Sequence, residues 1–110
     1  MRNPAESYAK VGVESAVSTA DPHRLIMMLF DGALAAISLA RIHMEAGDIP
    51  QKGVSISKAI DLINNGLRAS LDMEAGGQLA ERLAALYEYM AQRLLFANLH
   101  NSVAALDEVF

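Results

Sequence analysis

Apolar side chains recur at steps of three and four along three long stretches of the chain. The first stripe is Ile26, Leu29, Ala33, Ile37, Ala40 and Met44, widened by Leu25, Met28 and Leu34. The second is Ile56, Ala59, Ile60, Ile63, Leu67 and Leu71, with Leu62 and Ala69 beside it. The third is Leu79, Leu83, Leu86, Met90, Leu94 and Ala97, and Tyr87, Leu95, Phe96 and Leu99 give it a second apolar flank. This spacing predicts amphipathic helices. A shorter run, Val103, Leu106, Val109 and Phe110, predicts a fourth.

Polar and special residues set the boundaries. Asp21-Pro22 is the strongest start signal, because Asp can accept from free amides and Pro needs no acceptor for a missing N–H. The first helix is expected over 22–46, ended by Gly47. Asp48-Ile49-Pro50 repeats the start logic for a second helix over 50–73. Gly76-Gly77 reads as a break, since each glycine costs a helix interior about 1 kcal/mol relative to alanine. A third helix over 78–100 then forms a hairpin with the second. Asn101-Ser102 offers a cap for the fourth, over 102–110. Asn3-Pro4-Ala5-Glu6 also looks like a start, but only Tyr8, Val11 and Val17 follow it, interrupted by Gly12. Residues 1–18 are therefore expected to be a mobile, partly helical arm. The expected fold is all-α: an antiparallel up-down four-helix bundle over 19–110 with a short fourth helix. Three helices of about 23 residues are each roughly 34 Å long, and the fourth covers less than half of that. Either the chain is a truncated form of something longer, or apolar surface stays open on the other helices.

Composition narrows the function. The net charge is −4 with no basic cluster, which disfavours nucleic acid as a partner. No apolar run is expected to approach the roughly 18 residues of a membrane span, and the N-terminus lacks the apolar core of a secretory signal. There is no cysteine, which fits a reducing compartment, so the cytoplasm is the expected location. His23, His43 and His100 share no metal-ligand spacing, so neither a metal nor another cofactor is expected. Asp31, within an apolar helix, is read as a partly buried structural carboxylate in preference to a catalytic one. No catalytic set is found.

These residues resemble one family, the flagellin-specific export chaperones of bacterial flagellar assembly (FliS). The resemblance rests on Tyr8 followed by Thr19-Ala-Asp-Pro22, on Met28-Leu-Phe-Asp-Gly-Ala-Leu34, on Ser70-Leu-Asp-Met-Glu-Ala-Gly-Gly77, on Leu86-Tyr-Glu-Tyr-Met90 and on Leu106-Asp-Glu-Val109. Together they span nearly the whole chain. Phe30 and Ser102 stand where the family often has Tyr and Asp, and the family usually continues to a tryptophan-containing tail. The resemblance implies a four-helix bundle without catalytic activity that binds the disordered C-terminal segment of flagellin. It implies that premature polymerisation is prevented and that flagellin is helped to the flagellar type III export gate. The other expectation, of a different class, is a structural helical bundle that self-associates, for instance as a homodimer through exposed apolar grooves, and has no client.

A host for a helical client needs more apolar surface than its own core uses. Ile56, Leu62, Ile63, Leu67, Tyr87 and Leu95 are the candidate groove residues, and ordinary core packing is the alternative for each. Tyr8 and Val11 are candidates for an N-terminal plug that docks in the groove and is displaced by the client; permanent terminal packing is the alternative. The six methionines suit either an adaptable surface or gap-filling in the core. Tyr87 and Tyr89 fall on different faces, so Tyr87 is expected to pack and Tyr89 to lie nearer solvent.

Overall fold

The computed structural model describes residues 22–110. Helix α1 spans Pro22–Glu45. Helix α2 spans Ile49–Asp61 and runs on into a π-helical stretch, Leu62–Arg68. Helix α3 spans Met73–His100 and is kinked at Gly77. Helix α4 spans Val103–Val109. The described residues thus form an all-α four-helix bundle.

Each junction has a chemical cause. After α1, Gly47 takes φ +74°, and Asp48 N–H donates to His43 O at 2.8 Å, a six-to-one closure that satisfies a terminal carbonyl. The Asp48 carboxylate then accepts from Gln51 N at 3.2 Å, and Pro50 sits in the first turn, which starts α2. Asn101 ends α3 in the left-handed conformation at φ 50°. Ser102 Oγ accepts from Ala105 N at 3.1 Å and starts α4.

One boundary differs from the sequence expectation. The second helix ends at Arg68 instead of 73, and α3 begins at Met73 instead of 78. Ser70 closes the preceding helix by donating from both N and Oγ to Gly66 O, at 3.1 and 2.6 Å. Asp72 then accepts from Glu74 N and Ala75 N, at 3.1 and 3.0 Å. A carboxylate cap at the head of a helix outcompetes continuation of the previous one. The glycine pair therefore makes a kink one turn inside α3, where Gly77 takes φ 50°, ψ −128°.

Packing follows from the stripes. Helix α2 lies between α1 and α3, and α4 touches both α1 and α3. Helix α1 contributes Ala33, Ala36, Ile37 and Ala40 to the core. Three alanines on one face let the α2 backbone approach closely. Ile56, Ile63, Leu67, Leu94 and Leu106 are the largest fully buried side chains. Each stabilises the fold by roughly 1.5–3 kcal/mol relative to exposure. Phe30 of α1 and Tyr87 of α3 meet across the bundle, ring centroids 6.3 Å apart.

Two expectations about α1 need correction. Asp31 is exposed, because it falls between the positions of the apolar stripe. Helix α1 also contains an 18-residue window of mean hydropathy 1.8, long and apolar enough to cross a membrane by length and composition. Asp31 is the only carboxylate, lysine or arginine between Leu25 and Ala40, and the small alanines of this stretch raise the mean hydropathy. In the fold this helix packs against α2 and α4.

Candidate interaction surface

The six residues expected to line a groove separate into three groups. Ile56, Ile63, Leu67 and Tyr87 are 1, 0, 1 and 4 % exposed, so in this arrangement they belong to the core. The reason is topological: the second helix has a neighbour on both sides, so its main stripe turns inward, and Tyr87 of α3 meets Phe30 of α1. Leu62 is partly buried and packs towards Gly32 of α1. Leu95 is half exposed and faces a cleft. Tyr8 and Val11 lie outside the described residues.

The apolar surplus sits elsewhere. Along α3, Leu79, Leu86, Leu95, Phe96 and Leu99 are all at least 40 % exposed. Helix α1 adds Met27, Met28, Leu39 and Ile42. Met44 and Met90 pack against the core, so the methionines divide between the two roles weighed for them. A soluble helix normally keeps large apolar side chains to its core stripe, whereas α3 also exposes these five beside its polar residues Glu81, Glu88 and Gln92.

Three clefts interrupt this surface. One runs between the second helix and α3, about 360 Å³, with Ile60, Ala91 and Leu95 as apolar lining and Asn64, Arg68, Glu88 and Gln92 around them. A second, about 270 Å³ and more apolar, lies where Ile26 of α1 meets Leu71, Leu79 and Leu83 at the hairpin end. The third, about 250 Å³, lies between Ile37 and Ile42 of α1 and Leu106 and Phe110 of α4.

Polar contacts fix the walls. Arg41 bridges Glu45 at 3.1 Å and Asp107 at 2.5 Å, tying α1 to α4 beside the third cleft. Glu108 accepts from the Tyr89 hydroxyl and from Arg93 Nε, the latter at 3.0 Å. The Tyr89 hydrogen bond, and then Arg93, hold the Glu108 carboxyl below its ordinary range. The same hydrogen bond raises the Tyr89 phenol, while burial raises Tyr87. The Arg93 guanidinium also covers the Phe96 ring at 4.5 Å from its centroid, a cation–π contact that stiffens the exposed face of α3.

Two polar residues escaped sequence reasoning. Lys52 is 4 % exposed; its ammonium donates to Asn98 O at 3.0 Å and to Asn101 Oδ1, joining the start of α2 to the end of α3. Asn64 carries the one buried side-chain oxygen or nitrogen without a hydrogen-bond partner among the described residues. A polar residue one turn from Ile60 and one turn from Arg68 was the available signal for Asn64. Among the described residues no group of His, Cys, Asp and Glu is arranged to hold a metal ion.

Fold and surface together define a class: an all-α bundle offering apolar clefts between its helices, the kind of surface on which a partner helix is laid. The chain matches the family described as flagellar protein FliS over residues 4–110. It is 55 % identical to the flagellar secretion chaperone FliS of Salmonella typhimurium, covering 94 % of this chain and 77 % of that one. It is 52 % identical to the Escherichia coli chaperone of the same name over 94 and 76 %. The Bacillus subtilis one is 31 % identical over 99 and 77 %. The chain belongs to the FliS family, whose relatives named above are flagellar secretion chaperones.

Proposed function

We propose that this chain is a cytoplasmic chaperone for the C-terminal segment of flagellin, holding it unpolymerised and assisting its delivery to the flagellar export gate. One observation carries the reading: α3 keeps Leu79, Leu86, Leu95, Phe96 and Leu99 in solvent although it also supplies Ala80, Tyr87, Leu94 and Ala97 to the interior. Such surface is unfavourable on an isolated monomer and suits an amphipathic helix that folds on binding. The cleft between the second helix and α3 is the proposed seat, because Ile60 and Leu95 offer apolar contact along the length of a helix.

The arm carrying Tyr8 and Val11 is proposed to cover apolar surface until the client displaces it. Deleting residues 2–17 is then expected to raise client affinity and to speed amide exchange along the second helix. Unchanged affinity and exchange would remove the plug.

Titrating a flagellin C-terminal peptide while following helical circular dichroism tests the main reading. One-to-one binding with a gain in helix is expected. Concentration-dependent dimers that ignore the peptide would replace it with self-association.

A further inference from the structure

We propose that Asn64 is a specificity-determining residue of the cleft between the second helix and α3: its amide selects a bound helix that brings a side-chain hydrogen-bond donor to that position. This deepens the chaperone reading and rests on it.

Asn64 lines the cleft one turn after Ile60 and one turn before Arg68, facing Ala91 and Leu95 of α3. Its Oδ1 has less than 1 Å² exposed and no hydrogen-bond partner. The neighbouring Asn65 is not in this position, since its Nδ2 donates to Asp61 Oδ1 at 2.5 Å. A buried acceptor left unpaired lowers stability, whereas an apolar side chain of similar size would not. Oδ1 is enclosed as the side chain stands; the residue as a whole is only partly buried, and a half-turn about χ2 would offer the acceptor to the cleft and put the amide N–H groups in its place.

The surroundings fit one kind of occupant. Ile60 and Leu95 provide apolar contact, and the small side chain of Ala91 leaves depth between them. At the rim, Arg68 Nη2 and Glu88 Oε2 stand 4.0 Å apart, both about half exposed, too long for a hydrogen bond and free to turn outward. The occupant is therefore an amphipathic helix with apolar residues against Ile60 and Leu95. A hydroxyl, amide or cationic side chain lies one turn along, opposite Asn64. With leucine at 64 the floor would be continuously apolar and would accept any amphipathic helix. With asparagine, a helix lacking the donor leaves the acceptor unpaired, which is discrimination by an unsatisfied polar group.

Asn64 lies within the π-helical stretch, on a face of its own. Ile63 and Leu67 go to the core, while Leu62 and Gly66 face α1. Asn64 and Arg68 are left on the α3 side. Widened helical turns of this kind recur at functional sites.

The test compares wild type, Asn64→Leu and Asn64→Asp, with the flagellin C-terminal peptide as probe in calorimetry and with thermal unfolding of the free proteins. Asn64→Leu is expected to melt a few degrees higher and to bind about tenfold more weakly, the size of one hydrogen bond. Asn64→Asp, which keeps an acceptor, is expected to retain binding within about threefold. Replacing the donor-bearing residues of the peptide by alanine one at a time should find one position that weakens wild type about tenfold and leaves Asn64→Leu unchanged. A purely structural Asn64 predicts the reverse: a lower melting temperature for Asn64→Leu and no coupled peptide position. That result, or equal or tighter peptide binding by Asn64→Leu, overturns the inference. Binding with hydrogen-exchange protection outside residues 60–68 and 88–95 overturns it and leaves the chaperone reading standing. A wild-type protein that ignores the peptide overturns both.

Discussion

Leu29 of α1 fills the notch at Gly66: a Cβ placed on Gly66 would stand 2.8 Å from Leu29 Cδ2. The relation is reciprocal, since a Cβ on Gly32 of α1 would stand 3.2 Å from Leu62 Cδ1. Each helix thus offers a glycine to the other's leucine, and the two backbones come together. The distances rank the substitutions. Gly66→Ala gains about 1 kcal/mol in helix propensity but must displace Leu29, an overpacking cost of about 1–3 kcal/mol. Gly32→Ala has the same gain and needs a shift of only a few tenths of an ångström. Urea unfolding is expected to show Gly66→Ala less stable than Gly32→Ala by about 1 kcal/mol or more. In the Leu29→Ala background the cost of Gly66→Ala should vanish, a coupling read from a double-mutant cycle.

The kink in α3 depends on both of its glycines for different reasons. Gly77 has φ 50° with ψ −128°, which residues with a Cβ avoid. A Cβ on Gly76 would lie 2.7 Å from the Ala80 Cβ, a short, rigid group that cannot turn aside. Gly77→Ala is expected to cost about 1–3 kcal/mol, or else to straighten the helix and carry Met73 and Asp72 away from their places. Chemical denaturation measures the first outcome, and loss of amide protection at Glu74 and Ala75, which Asp72 caps, reports the second.

The same glycines show how far the sequence could be read. Helix number, helix order and the caps at Asp48 and Ser102 followed from apolar spacing and from residues whose chemistry is local. The end of the second helix did not, because Ser70 and Asp72 compete with continuation only through specific hydrogen bonds. Periodicity identifies an apolar face but not the neighbour that covers it. Apolar spacing therefore leaves Ile56, Ile63 and Leu67 open between groove and core, and the place of α2 between two helices decides for core. Lys52 was invisible for the complementary reason: its partners are 46 and 49 residues away in the chain.

Those distant partners make Lys52 a test of how α2 and α3 are joined. Its ammonium donates to the Asn98 carbonyl and the Asn101 side chain at the end of α3, where the free carbonyls carry partial negative charge. Lys52→Met keeps the aliphatic stem and removes both hydrogen bonds. It is expected to lower stability by about 1–3 kcal/mol, because the Asn98 carbonyl loses a donor in a partly buried place. Amide exchange at Asn101 and Ser102 should quicken in the variant. Asn101→Gly separates the effects: glycine suits the left-handed conformation at φ 50° but lacks the acceptor. Lys52→Met should therefore cost less in the Asn101→Gly background than in wild type.

The pair Tyr89 and Glu108 gives α4 a pH dependence of known sign. Hydrogen bonding from Tyr89, and then Arg93, lowers the Glu108 carboxyl from its ordinary 4.5. A carboxyl lowered in the folded state contributes stability above its unfolded value, and that contribution is lost as pH falls through the folded one. The Tyr89 phenol is raised above 10.0, first by its hydrogen bond to Glu108. Its contribution is present below 10.0 and is lost as pH rises through the folded value. Attachment of α4 is thus expected to weaken at both extremes, below about 4.5 and above about 10. Tyr87 is also raised, but by burial, so it serves as an internal control. In an ultraviolet phenolate titration of Glu108→Gln, Tyr89 should return towards 10.0 while Tyr87 stays high, with Tyr87→Phe and Tyr89→Phe assigning the two steps. An unmoved Tyr89 step would mean that its hydroxyl does not donate to Glu108 in solution.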